Sequence, residues 1–171
     1  LNTYSSSITK NFHGMPLSFL SKLEKKYEFP FIVNTLNLKN LIYVGIRELD
    51  SYEEKIINKY GINYIQSDEL NNKPEKTLEE IKKFINNDPF HLSFDVDVMD
   101  PSIIPSTGTP VNHGLLLNET KFVIDELKND NLINMDITEL NLNLGNKNQQ
   151  NKSLNNFLIL FNNYLDIKAF H

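Results

Sequence analysis

No cysteine occurs among the 171 residues, so disulfide frameworks, thiolate metal sites and a cysteine nucleophile are all excluded. Long apolar runs are missing too: none approaches the roughly 20 residues needed to span a bilayer, and no signal-peptide pattern opens the sequence. A reducing, cytoplasmic compartment and no membrane partner are therefore expected. The sequence also lacks a concentrated basic patch. Its net charge of -5 argues against a nucleic-acid partner, because phosphate binding calls for clustered Lys and Arg, and it leaves small or cationic ligands as the better fit. Linker-like stretches are absent, and the length suits one ordinary domain, taken as residues 1–171. What is present, 40% hydrophobic and 23% charged residues, is the composition of a globular chain.

Apolar residues at helical spacing behind Pro16 predict a helix over 16–27. A short apolar run over 41–46 reads as a buried strand. Residues 51–60 look helical and stop at Gly61, after which 62–65 is a weaker strand. Leu78, Ile81 and Ile85 mark an amphipathic helix over 77–85, and 90–96 is the next strand. Asn118 or Thr120 suits a helix cap before Leu127, 132–137 reads as a strand, and 154–165 as a long apolar helix. The Asn-rich stretch 141–153 reads as an exposed loop. Strands alternating with helices point to α/β architecture, a parallel sheet with helices on both faces.

In such sheets functional residues collect beyond the carboxyl ends of the strands. Three candidate strands end in acids: Glu48 and Asp50, Asp95 and Asp97, Asp136 and Glu139. A strand period of two would place Asp95 and Asp97 on one face, where two carboxylates repel unless a cation or a proton lies between them. Oxygen-rich ligation without sulfur suits Mg, Ca or Mn, and histidine nitrogens shift the balance toward Mn or another transition metal. A calcium loop of the EF-hand kind is disfavoured, because its glycine is missing and Pro101 interrupts the pattern. On these residues alone, a solvated turn and a metal site weigh about equally.

The longer pattern is more specific. Ser93-Phe94-Asp95-Val96-Asp97, then Asp100-Pro101, Pro105-Ser106, Thr107-Gly108-Thr109-Pro110 and Gly114, resemble the signature of the ureohydrolases, the arginase and agmatinase family. Asn11-Phe12-His13-Gly14 resembles that family's Asn-x-His-Gly segment, Gly45 to Asp50 its segment for the substrate α-amino group, and Met135 to Glu139 its strand end facing a guanidinium. The resemblance implies an arginase-like three-layer α/β/α fold, incomplete at the N-terminus, and hydrolysis of L-arginine to L-ornithine and urea with two Mn²⁺ per complete site. It implies Asp95 bridging both ions and Asp97 binding one, with Glu139 orienting the guanidinium and His13 relaying a proton. Substrate binding is implied for Asn2, Ser7, Thr9 and Asn11 at the α-carboxylate, for Asp50 and Glu53 at the α-amino group, and for Thr109. A homotrimer is implied as well.

Bland alternatives accompany several of these residues. Glu48 and Glu53 suit a helix N-terminus or an ion pair with Arg47, Asp136 suits a supporting role behind the site, and His91 and His113 suit satisfied structural histidines. The family's Gly-Gly-Asp-His and Asp-x-His-x-Asp metal segments do not occur here, so the resemblance covers roughly the C-terminal half of an arginase. An agmatinase-like amidinohydrolase and a catalytically silent piece with a structural or subunit-interaction role remain as alternatives.

Overall fold

The structure is a computed structural model in which residues 1–165 are described; the last six residues of the expected 1–171 domain lie outside the described residues. Two units emerge from the packing. One comprises Leu1–Tyr43 with Glu48–Tyr64, and the other Val44–Arg47 with the described part of Ile65–His171.

In the first unit, helix α1 (Pro16–Leu20) is far shorter than the helix expected over 16–27. The chain leaves it at Ser21 and enters the left-handed region at Lys22, φ +56°, which ends any helix. Glu24, inside that expected span, is buried, and its carboxylate accepts the main-chain N–H groups of Tyr4 and Lys26, each at 2.5 Å. Those donors compensate its lost hydration. Helix α2 (Ser51–Tyr60) runs as expected, from a cap at Asp50 to Gly61 at φ +62°. Its Ile56 and Ile57 pack with Leu1, Leu38 and Ile62 as this unit's core.

Strand β1 (Ile42–Ile46) pairs with β2 (Asn63–Gln66), and the division between units falls inside both strands. A short helix α3 (Ser67–Asn72), which carries no cap signal, follows β2 directly, and α4 (Pro74–Ile85) follows it with a proline in its first turn. Strand β3 (Phe90–Asp95) pairs in parallel with β4 (Leu132–Thr138), setting Ser93 opposite Asp136 and Asp95 opposite Thr138. Between them lies α5 (Leu117–Glu126), which packs against α4 and against α6 (Lys147–Phe161). The chain is thus α/β, with parallel strands joined through helices.

Two further expectations change. Much of the stretch read as an Asn-rich loop is the start of α6: Asn146 accepts the N–H groups of Asn148 and Gln149, and Gln149 returns a bond to Asn146 N–H. That reciprocal cap starts a helix whose first turns are polar and solvated. Strand alternation also stops one residue early. The chain leaves β3 at Asp95 and makes a 3₁₀ turn over Val96–Val98, so a period of two does not relate Asp95 to Asp97. Beneath them Phe94 is buried against Phe161, edge to face at 5.0 Å. Among the described residues no helix is long and apolar enough to cross a membrane.

Candidate metal and substrate residues

In the second unit, the end of β3 places Asp95 so that its Oδ1 accepts the N–H of Asp97 at 2.9 Å, capping the 3₁₀ turn. The turn, rather than a shared strand face, is what couples the two acids. Asp97 Oδ2 accepts the hydroxyl of Thr109, while Asp97 Oδ1 is buried with no hydrogen-bond partner among the described residues. Burial raises the Asp95 pKa above its ordinary value, and the charges of Asp97 and Glu139 add to this against the Asp97 N–H and Arg47. Solvent still reaches the Asp95 side chain, so that burial is partial. Glu139, just past β4, is exposed and sits at φ +68°. A non-glycine residue held there costs about 1–3 kcal/mol, a strain found where surroundings over-determine the backbone. Asp97 and Glu139 thus lie within electrostatic reach of Asp95.

One face of the β3–β4 pair carries a polar ladder. His91 Nε2 bonds Asp136 Oδ2 at 2.8 Å, Asn134 Nδ2 approaches His91 Nδ1 at 3.0 Å, and Ser93 donates to Asp136 Oδ1 at 2.6 Å. Asp136 thus bridges the two strands, and both ring nitrogens of His91 lie within hydrogen-bond distance of β4 side chains. His113 sits at φ +63° and offers its carbonyl to the Ser67 hydroxyl at 2.7 Å.

In the first unit, Asn2 Nδ2 donates to Asp50 Oδ2 at 2.8 Å, and Asn2 Oδ1 accepts from Ser6 Oγ at 2.7 Å. Asp50 Oδ1 accepts the N–H groups of Tyr52 and Glu53 at 2.9 and 2.8 Å, and Glu53 returns a longer contact to Asp50 N–H in a capping box. Glu53 thus lies in the first turn of α2 with its carboxylate turned back to the cap, and Arg47 is not its partner. Ser7 Oγ accepts from Lys10 N at 3.1 Å and lies 3.5 Å from Thr9 Oγ1, which in turn accepts from Asn11 N. His13 is exposed on a 3₁₀ turn, Phe12–Gly14. A cleft of about 670 Å³ in this unit, lined by Lys22, Lys39, Tyr52 and Tyr60 among others, contains none of the candidate residues.

Burial acts to raise the Asp50 pKa, but the Glu53 N–H, the Asn2 amide and the Tyr52 N–H outweigh it and hold the carboxyl below its ordinary 3.8. Asp50 therefore contributes stability at pH above 3.8 that is lost as the pH falls through its lower folded value. Asp50→Ala should cost about 1 kcal/mol at neutral pH, the usual worth of a side-chain cap, and Asp50→Asn much less. Thermal unfolding at pH 7 and at pH 3 checks both points, the gap between parent and Ala variant narrowing at the lower pH.

Asp95 and Asp97 present hard oxygen donors, and the orphaned, buried Asp97 Oδ1 beside a carboxyl with a raised pKa fits a hard cation. The set is partial: among the described residues no three His, Cys, Asp or Glu side chains gather as a metal-holding group. Arg47 was missed as a site residue, since its partners are main-chain oxygens far along the chain.

Carboxylates gathered past the strand ends of an α/β chain, beside a buried oxygen with no partner among the described residues, are chemically suited to a cation. The Arginase family model matches residues 1–160, spanning both units, and the chain belongs to the arginase family. It is 39% identical over 152 residues to an arginase of Emericella nidulans and 37% identical over 155 residues to arginase-1 of Bos taurus, covering 84% and 85% of this chain. It spans about half of these relatives, 47% and 48% of their lengths. A crystal structure of Entamoeba histolytica arginase in complex with L-ornithine superposes with a TM-score of 0.83 at 31% identity, over 94% of this chain and 56% of that one.

Proposed function

We propose that this chain carries part of the active site of a manganese-dependent arginase, which hydrolyses L-arginine to L-ornithine and urea. The observation that carries the reading is the 3₁₀ turn after β3, where a family-signature carboxylate pair leaves the buried Asp97 Oδ1 without a partner. Asp95 and Asp97 are the residues that would hold manganese. When bound, the metal supplies charge stabilisation and a water acidified toward neutral pH. The remaining ligands come from outside the described set.

Glu139 accepts paired, charge-assisted hydrogen bonds from the planar guanidinium and so fixes the electrophilic carbon. Thr109 spends its proton on Asp97, which leaves its lone pairs to accept from a substrate N–H. Water adds to the guanidinium carbon, the bond from that carbon to the side-chain nitrogen breaks, and the departing amine takes a proton relayed by His13. Imidazole suits that task near neutral pH, and the exposed ring of His13 can exchange protons with solvent. In the first unit, Asn2, Ser7, Thr9 and Asn11 offer neutral donors suited to an α-carboxylate. Asp50 and Glu53 offer negative charge suited to an α-amino group. The proposal extends to one family domain over 1–171, a homotrimer and a cytoplasmic location.

The partial ligand set favours a second reading, a silent piece with a structural or subunit-interaction role. Urea release decides, measured with Mn²⁺ on the chain alone and with the N-terminal half of the Emericella nidulans arginase supplied in trans. Arginine should be turned over at least about 100-fold faster than agmatine, because a site built to hydrogen-bond a carboxylate rejects an analogue lacking it. Preference for agmatine sinks the arginase assignment, and no urea in either arrangement supports the silent piece.

A further inference from the structure

Arg47 follows β1 and is half-buried. Its Nη1 donates to the Val98 carbonyl at 2.8 Å and its Nη2 to the Asp97 carbonyl at 3.0 Å. The Val98 carbonyl also accepts the Leu115 N–H at 2.9 Å, so both of its lone pairs are engaged. Two residues before Arg47, Gly45 takes φ +86°, and a β-carbon there would stand 2.3 Å from Val98 Cγ2 and 3.3 Å from Leu115 Cδ1. The end of β1 therefore meets the turn twice, once by close packing at Gly45 and once by a two-pronged hydrogen bond from Arg47.

The choice of acceptors matters. A guanidinium beside two acids would ordinarily pair with a carboxylate. Here both bonds go to main-chain oxygens, and Asp97 Oδ1 keeps no partner among the described residues. The cation thus braces the turn without occupying the oxygen that a metal would need. A lysine could not do the same, because its ammonium lacks the rigid fork that reaches two consecutive carbonyls in fixed geometry.

We propose that Arg47 is a positioning residue: it fixes the main chain of the 95–98 turn so that the Asp95 and Asp97 carboxylates are presented to a metal cation. The proposal rests on reading those two acids as metal ligands. Its test uses the 171-residue chain as parent, Arg47→Lys and Arg47→Met, with two readouts. Amide hydrogen exchange reports the turn through the N–H groups of Asp97, Met99 and Leu115. Water-proton relaxation during a Mn²⁺ titration reports metal affinity.

In Arg47→Met, exchange at those three amides should quicken by about tenfold or more while the amides of β3 stay within about twofold, the pattern of a local opening. Mn²⁺ affinity should fall by about fivefold or more, on the scale of lost outer-shell support to a ligand, with Arg47→Lys between parent and Met variant. Unchanged exchange in the turn, or quickening spread evenly over the second unit, overturns the proposal, because Arg47 would then be either idle or a general stabiliser. Exchange confined to the turn with parent-like Mn²⁺ affinity also overturns it. If the parent shows no saturable Mn²⁺ site, the metal reading itself fails; turn-confined exchange would then mark Arg47 as a purely structural clamp, contrary to the proposal.

Discussion

Asp97→Asn is expected to abolish saturable Mn²⁺ binding by the chain. In an arginase assembled with the remaining ligands, it should lower arginine hydrolysis by more than about 100-fold, since loss of outer-shell partners alone costs about 10–100-fold. The same substitution should leave the metal-free chain at least as stable as the parent at pH 7. The Asp97 charge is one of the causes that raise the Asp95 pKa, so removing it relieves a repulsion. A carboxyl whose folded pKa is raised destabilises the folded state as the pH climbs through it, which makes neutral pH the condition where the relief shows. Thr109 retains an oxygen acceptor in the variant, and the unpartnered Oδ1 is the position the new amide group would take. Thermal unfolding without metal and a Mn²⁺ titration, run on one preparation, check the two halves. A fall in unfolding temperature with unchanged Mn²⁺ binding would identify Asp97 as a structural residue.

Gly114→Ala is expected to be strongly destabilising. A β-carbon there would lie 2.3 Å from Asp100 N, 2.5 Å from the Met99 carbonyl carbon and 2.7 Å from Asp100 Cα. All three are main-chain atoms. They cannot swing aside as a side chain can, and the same segment is tied by Asp100 N to Leu115 O at 3.0 Å and by Gly114 N to Asp100 Oδ2 at 3.2 Å. Overpacking of this kind costs about 3 kcal/mol or more where nothing can relax. For a chain of this length that corresponds to a fall in unfolding temperature of about 6–12 °C. A shift below about 2 °C would show that the 99–115 crossing is not closely packed.

How far the fold could be read in advance depended on whether its determinants were local. Helix α2 was legible because Gly61 stops it in the left-handed region and apolar residues recur along it. Helix α1 was overextended, since nothing local announces that Lys22 turns left-handed or that Glu24 will be claimed by the Tyr4 and Lys26 amides. Helix α6 was begun too late, because the Asn146 and Gln149 cap lies in a polar stretch where apolar periodicity is silent. Helix α3, six residues with no cap, left no signal.

The candidate site follows the same logic. The acids at the ends of β3 and β4 were legible as unusual charge past apolar strands, and the spaced signature around them named a family that the chain proves to belong to. Their geometry was not legible, since a 3₁₀ turn replaces strand alternation at Val96. Nor was Arg47, which acts on carbonyl oxygens 50 and 51 residues further along the chain. Such contacts leave no pattern of residue types to recognise.

The most direct test of the metal reading is paramagnetic broadening of the chain's amide resonances during a Mn²⁺ titration. If Asp95 and Asp97 hold the cation, the signals of residues 95–98 and of Thr109 broaden first and saturably, ahead of those of other exposed acids such as Glu75 or Asp130. Broadening spread evenly over the surface carboxylates, or none near the turn, would contradict it.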